Sequence, residues 1–299
     1  MCPPNSPGRQ DGTSLCCAHC VREASTRAEA LGLPAVPGPR SARRCLMNQE
    51  VPVSLRQPSG NTLLDGDVLV VCRDVVRACR VLIGNTLPLG GKPFVIQQSR
   101  DGLPRAHLDA LPGEYAVSVT CLHTRDYARL AFQLGHELGH FWVDPRRTNW
   151  FIESTCTAVS YVCLDCLTWA WNADPPFPNW RGYAREFARY RKKHVRDAAS
   201  KVGLSGIGEI ARWVREGLRL VLAGDGFDRE HEALCSLVIS RCLRAAPLGC
   251  SALTLLGEVT QSGGETDFSA WLEKTSTSEQ ADLVGVLARL FAPAQGGDK

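Results

Sequence analysis

Residues 132–144 read FQLGHELGHFWVD, and residues 149–156 read NWFIESTC. The first stretch sets His136 and His140 four residues apart. On an α-helix that spacing puts both imidazoles on one face, one turn apart. Glu137 follows the first histidine and points about 100° round the helix from it. Tyr127, Leu130, Leu134, Leu138 and Phe141 recur every three or four residues and form a separate apolar stripe. The histidines therefore lie off the face that the core would claim. Gly135 and Gly139 each cost a helix about 1 kcal/mol relative to alanine. A neighbouring strand, helix or substrate that comes close would account for them.

Two imidazole nitrogens one turn apart can reach one metal ion at about 2.0–2.1 Å each. His136-Glu137-Leu138-Gly139-His140 is an H-E-x-x-H pattern, in which the acid is placed to exchange protons with water beside the metal. A catalytic zinc has three protein ligands and one open position. Asp144 and Pro145 end the helix, residues 146–149 make a turn, and a second helix starts near Asn149. An acid in its first turn can face back onto the first helix. Glu153 is the preferred third ligand, and Asp144 is its rival. Asp144 has a second possible role, as hydrogen-bond partner to the far nitrogen of a ligand histidine.

Working outward, residues 65–84 carry Val68, Val71, Val75, Cys79 and Leu82 at helical spacing, with Gly84 as a stop. KPFVIQQ (92–98) is short and β-prone, and GEYAVSVTC (113–121) alternates like a strand. Thr124 is placed to cap a helix over 127–143, and the second helix runs to about Trp171. DPPFPNW (174–180) is a proline-rich loop. Helical patterns follow at 182–199, 205–222, 228–245, 249–260 and 277–292. The order predicts a helix-rich α+β fold: a small sheet with an edge strand beside the H-E-x-x-H helix, then a mainly helical C-terminal half from about residue 175 to 299. Residues 1–60 are rich in Pro, Gly, Ser and Arg and read as a loosely structured leader. Cys16, Cys17, His19 and Cys20 lie there without the second ligand pair of a structural zinc site.

The chain has 299 residues, a net charge of +3 and no apolar run long enough for a membrane span. That charge is too small to imply nucleic acid or membrane by itself. The 14 cysteines sit largely in apolar runs and the N-terminus has no apolar signal segment, so the thiols read as reduced and the chain as cytoplasmic. Cys163 and Cys166 form a C-x-x-C in mid-helix and read as core or surface thiols. Residues 180–201 hold eight Lys or Arg against two acids, which reads as an aromatic stripe with a solvated basic face. Glu230, His231 and Glu232 read as a charged first helical turn.

HELGH followed by NWFIEST resembles the zincin-type zinc metallopeptidases, and within them the gluzincins, over roughly Tyr127 to Cys166. The metzincin extension is absent, since Val143 and Arg146 stand at its positions. The resemblance implies one metallopeptidase domain over 61–299, with Zn2+ on His136, His140 and Glu153 and Glu137 as general base. It also implies a peptide or protein substrate, held by 113–121 as an edge strand through β-addition. A residue that stabilises the developing oxyanion is then wanted. Tyr161 and His123 are the candidates, with Tyr183 and His194 more remote; each taken singly reads more simply as a packed or surface side chain. The expected function is zinc-dependent peptide hydrolysis. The alternative is a non-catalytic zincin-like binding or regulatory protein that uses the basic helix 182–199.

Overall fold

The alternation in 113–121 does produce a strand, but an interior one. In the computed structural model, β4 (Tyr115–Val119) is buried at all five positions and pairs on both sides. The structure describes residues 52–84, 92–107, 113–144, 147–224, 226–261 and 264–292. The sheet is mixed, ordered β1-β2-β4-β3. β1 (Val53–Leu55) runs parallel to β2 (Phe94–Gln98), and β2 runs parallel to β4. β3 (Arg105–His107) closes one edge, antiparallel to β4, with Ala106 opposite Val117. The edge strand beside the site helix is thus β3, not 113–121. Three residues, RAH, carry too little alternation to announce a strand. The sheet begins at Val53, inside the stretch read as a leader. CCAHC and the rest of residues 1–51 lie outside the described residues.

Helix α1 (Thr62–Ile83) is capped by Asn61 and ends at Gly84. α2 (Tyr127–Val143) is the H-E-x-x-H helix. Its cap is Asp126, whose carboxylate accepts from the Arg129 amide at 3.1 Å. Thr124 instead donates to the Cys121 carbonyl at 2.8 Å. The apolar stripe of α2 meets the sheet: the Phe141 ring lies 5.1 Å from Tyr115 and 6.4 Å from Phe94. α3 (Trp150–Ala173) is capped by Asn149, which accepts from the Ile152 amide at 2.8 Å. It is buried almost all round, as a central helix must be. The rest is mainly helical, as expected: α4 (Ala184–Val202), α5 (Ile207–Glu216), α6 (Leu218–Ala223), α7 (Arg229–Ala245) and α9 (Ser278–Phe291), joined by α8 (Phe268–Lys274), which no sequence pattern announced. The pattern at 205–222 divides at Gly217 into α5 and α6, and 247–258 is 3-10 rather than α.

Both glycines of α2 face α3. A Cβ on Gly139 would sit 3.1 Å from the Cys156 Cα, and one on Gly135 would sit 3.2 Å from the Ser160 Cα. Their helical cost is offset by a close crossing that brings α3 against the histidine helix. Gly139→Val is expected to destabilise the metal-free protein by about 3 kcal/mol through overpacking. Denaturant unfolding checks this, and an unchanged midpoint would contradict the crossing.

The turn between α2 and α3 is tied to the C-terminal half. Arg147 donates to the Thr260 carbonyl at 3.0 Å, and the Asn149 amide donates to Gly264 O and Thr266 Oγ1 at 3.0 and 3.1 Å. Gly257 lies so close to the end of α2 that a Cβ there would fall 2.2 Å from the Val143 carbonyl oxygen.

Candidate metal centre

α2 presents His136 and His140, and the first turn of α3 presents Glu153. The three converge. His136 Nε2 lies 3.1 Å from His140 Nε2 and 3.2 Å from Glu153 Oε2, and His140 Nε2 lies 3.6 Å from that same oxygen. One ligand atom from each falls within 4.8 Å of the others, so the group could hold a metal ion. The spacing can be tested against a tetrahedral site. Ligands about 2.05 Å from a central ion lie about 3.3–3.4 Å apart, and the three separations bracket that value. Two nitrogens and one carboxylate oxygen suit a borderline-soft divalent ion. Asp144, at the end of α2, does not belong to the group. It has a φ of 152°, an unusual angle for a residue other than glycine.

The far nitrogen of His136 is held as well. His136 Nδ1 lies 2.9 Å from Thr157 Oγ1, and that hydroxyl donates to Glu232 Oε1 at 2.7 Å. Because the Thr157 proton goes to Glu232, its oxygen accepts from His136. A proton on Nδ1 would leave the Nε2 lone pair to face a metal ion. His140 hydrogen-bonds the buried Cys156. Glu153 uses its other oxygen to accept from Thr148 Oγ1 at 2.6 Å.

Cys156, Thr157 and Glu232 were not legible as site residues. Cys156 and Thr157 do follow Glu153 by three and four residues, which places them on its face of α3. Glu232 arrives from α7, where the sequence reads only as a charged first turn. Glu232→Gln is expected to lower metal affinity about 10–100-fold with little change in fold. Competition with a chromophoric chelator measures this, and unchanged affinity would remove Glu232 from the site.

The charges follow from this packing. Burial alone would raise the Glu153 carboxyl, but the hydrogen bonds from His136 and His140 outweigh it and hold the group well below the usual carboxylate range. Burial alone would lower the His140 imidazole, but Cys156 and Glu153 outweigh it and hold it well above the ordinary histidine value. Glu137 is only 6% exposed. Burial pushes its carboxyl up, and the neighbouring histidines and a hydrogen bond from the Ala106 amide of β3 draw it partly back. The side chains of His136, His140 and Glu153 remain 16%, 12% and 33% exposed, so solvent reaches the cluster.

Tyr161 and His123 are placed elsewhere. Tyr161 is fully buried, and its hydroxyl meets His194 Nδ1 at 2.7 Å on the α4 side. Burial holds the Tyr161 hydroxyl up and the His194 imidazole down. His123 is exposed, near Asp65. The Tyr183 hydroxyl accepts from the Ala128 amide at 3.2 Å. No hydrogen bond among the described residues joins any of these four to the cluster. Cys163 is buried with its sulfur 3.3 Å from Cys79, and burial pushes the Cys166 thiol up to about 12. Cys163 is a core thiol, and Cys166 is half-buried against the core.

Comparison with protein-family models, curated proteins and solved structures returns no match for this chain. The reading of the site rests on its own geometry. Among the described residues, no helix is long and apolar enough to cross a membrane.

Proposed function

We propose that the chain is a zinc-dependent peptidase of the gluzincin type, in which Glu137 is the general base. The observation that carries this reading is the convergence of His136, His140 and Glu153 on one point, with Glu137 one residue beyond the first ligand. A scaffold or purely structural site has no use for that extra buried carboxylate. Zinc held there would polarise a peptide carbonyl and lower the pKa of water.

The chain's own residues supply the rest. Glu137 takes a proton from the attacking water and passes it to the departing amine. Its raised pKa brings it nearer to the range where both transfers are feasible. The Ala106 amide steadies the carboxylate while it is charged. The histidines stay oriented through Thr157 and Cys156. β3 pairs with β4 alone among the described residues. Its outer edge, beside Glu137, supports an extended peptide as substrate through β-addition.

The test is hydrolysis of a mixed library of fluorogenic peptides by protein reconstituted with zinc. Cleavage should disappear on dialysis against a chelator and return with zinc. Cleavage indifferent to the chelator, or protein that takes up no zinc, would overturn the proposal.

A further inference from the structure

Helix α4 carries cations that the metal centre does not use, and all but Arg185 divide into two groups. Arg189 pairs with Glu186 at 2.8 Å, Lys193 with Asp197 at 2.7 Å, and Lys201 with Glu230. These are neutralised on the surface. Arg191, Lys192 and Arg196 instead line a cleft between α4, the start of α5, and α7, where Arg241 joins them. The cleft has a volume of ≈ 440 Å³ and no acidic residue lines it. That size lies within the range of small-molecule sites.

The positive charge there is in surplus. Asp165 pairs with Arg191 at 3.0 Å but also with Arg244 at 2.8 Å. Asp197 lies 3.6 Å from Arg196 but is nearer to Lys193. Lys192 has no ion pair among the described residues. Like charges gathered round a small cleft repel one another, and a bound anion would relieve that repulsion. The α5 N-terminus beside them adds no positive charge, because the Glu209 carboxylate of its first turn accepts from the Ser205 amide and hydroxyl at 2.7 and 2.8 Å.

The floor of the cleft is apolar. Val195, Ile210 and Leu237 line it, and Ile210 and Leu237 are 3% and 7% exposed. A free inorganic anion would have no use for such a floor. A nucleic acid would want cations along a groove, with aromatic rings for stacking, and no aromatic side chain lines this cleft.

We propose that this cleft binds a single amphiphilic anion. Lys192 and Arg196 hold a phosphate or carboxylate head, and the alkyl body lies on Val195, Ile210 and Leu237. The site stands apart from the metal centre and does not depend on it.

Calorimetric titration of the full chain with dodecyl phosphate, below its micelle concentration, tests this beside dodecanol and inorganic phosphate. The expected result is one dodecyl phosphate per chain, bound at least tenfold more tightly than either control. Lys192 and Arg196 are both exposed, so the double variant K192E/R196E leaves the fold intact. It should weaken dodecyl phosphate at least tenfold with zinc content unchanged. Equal binding of inorganic phosphate or dodecanol would overturn the proposal. So would an unaffected double variant, or binding to phosphatidylglycerol vesicles without binding of the soluble amphiphile.

Discussion

Glu137→Gln is expected to lower peptide hydrolysis about 10²–10⁴-fold, the usual weight of a positioned acid–base group, while zinc content stays that of the wild type. Glutamine keeps the size of the side chain and can still accept from the Ala106 amide. It cannot take up the proton that the attacking water must lose. Glu137 is not among the three converging ligands, so its neutralisation leaves the metal group whole. The two readouts must separate: rate falls and metal remains. A variant that loses zinc would make Glu137 a ligand. A variant that cleaves at the wild-type rate would end its role as base.

Glu153→Ala is expected to abolish stoichiometric zinc binding, whereas Asp144→Ala keeps it. Removing the only acidic ligand leaves two imidazoles one turn apart, too few to hold zinc against solvent. Thermal unfolding gives an independent readout. A ligand that binds only the folded state at about 1,000 times its Kd adds about 4.1 kcal/mol. Zinc should raise the wild-type transition accordingly and leave that of Glu153→Ala unmoved.

Acid should act in the same direction. His140 is held protonated above the ordinary histidine range in the metal-free protein, so zinc must displace a proton to bind. Below the His140 pKa, affinity should fall about tenfold per pH unit for each proton displaced. Zinc titrations between pH 8 and 5 give the slope, and a flat profile would exclude His140 as a ligand.

The ligands were readable because a helix enforces a local rule. His136 and His140 had to share a face, and Asn149 had to start a helix that returns Glu153 to them. Gly135 and Gly139 announced a close neighbour, which proved to be α3. The surrounding support was illegible for the same physical reason in reverse. Glu232 reaches His136 only because α7 packs on α3, and no spacing in the chain records that packing. β3 is three residues long and takes its identity from its partner. Tyr161 lies about two turns beyond Glu153, yet its turn of the helix faces α4. Gly217 divided one periodic stretch into two helices, where periodicity alone saw one.

The hydrogen bonds from Arg147 and Asn149 to residues 260–266 bear on how far this protein could be reduced. The pattern from Tyr127 to Cys166 contains every proposed ligand and the base, and invites excision as a miniature catalyst. Yet the loop that sets the reach from His140 to Glu153 is moored more than a hundred positions downstream. A fragment that stops before those anchors would keep all the donor atoms and lose the ruler that spaces them.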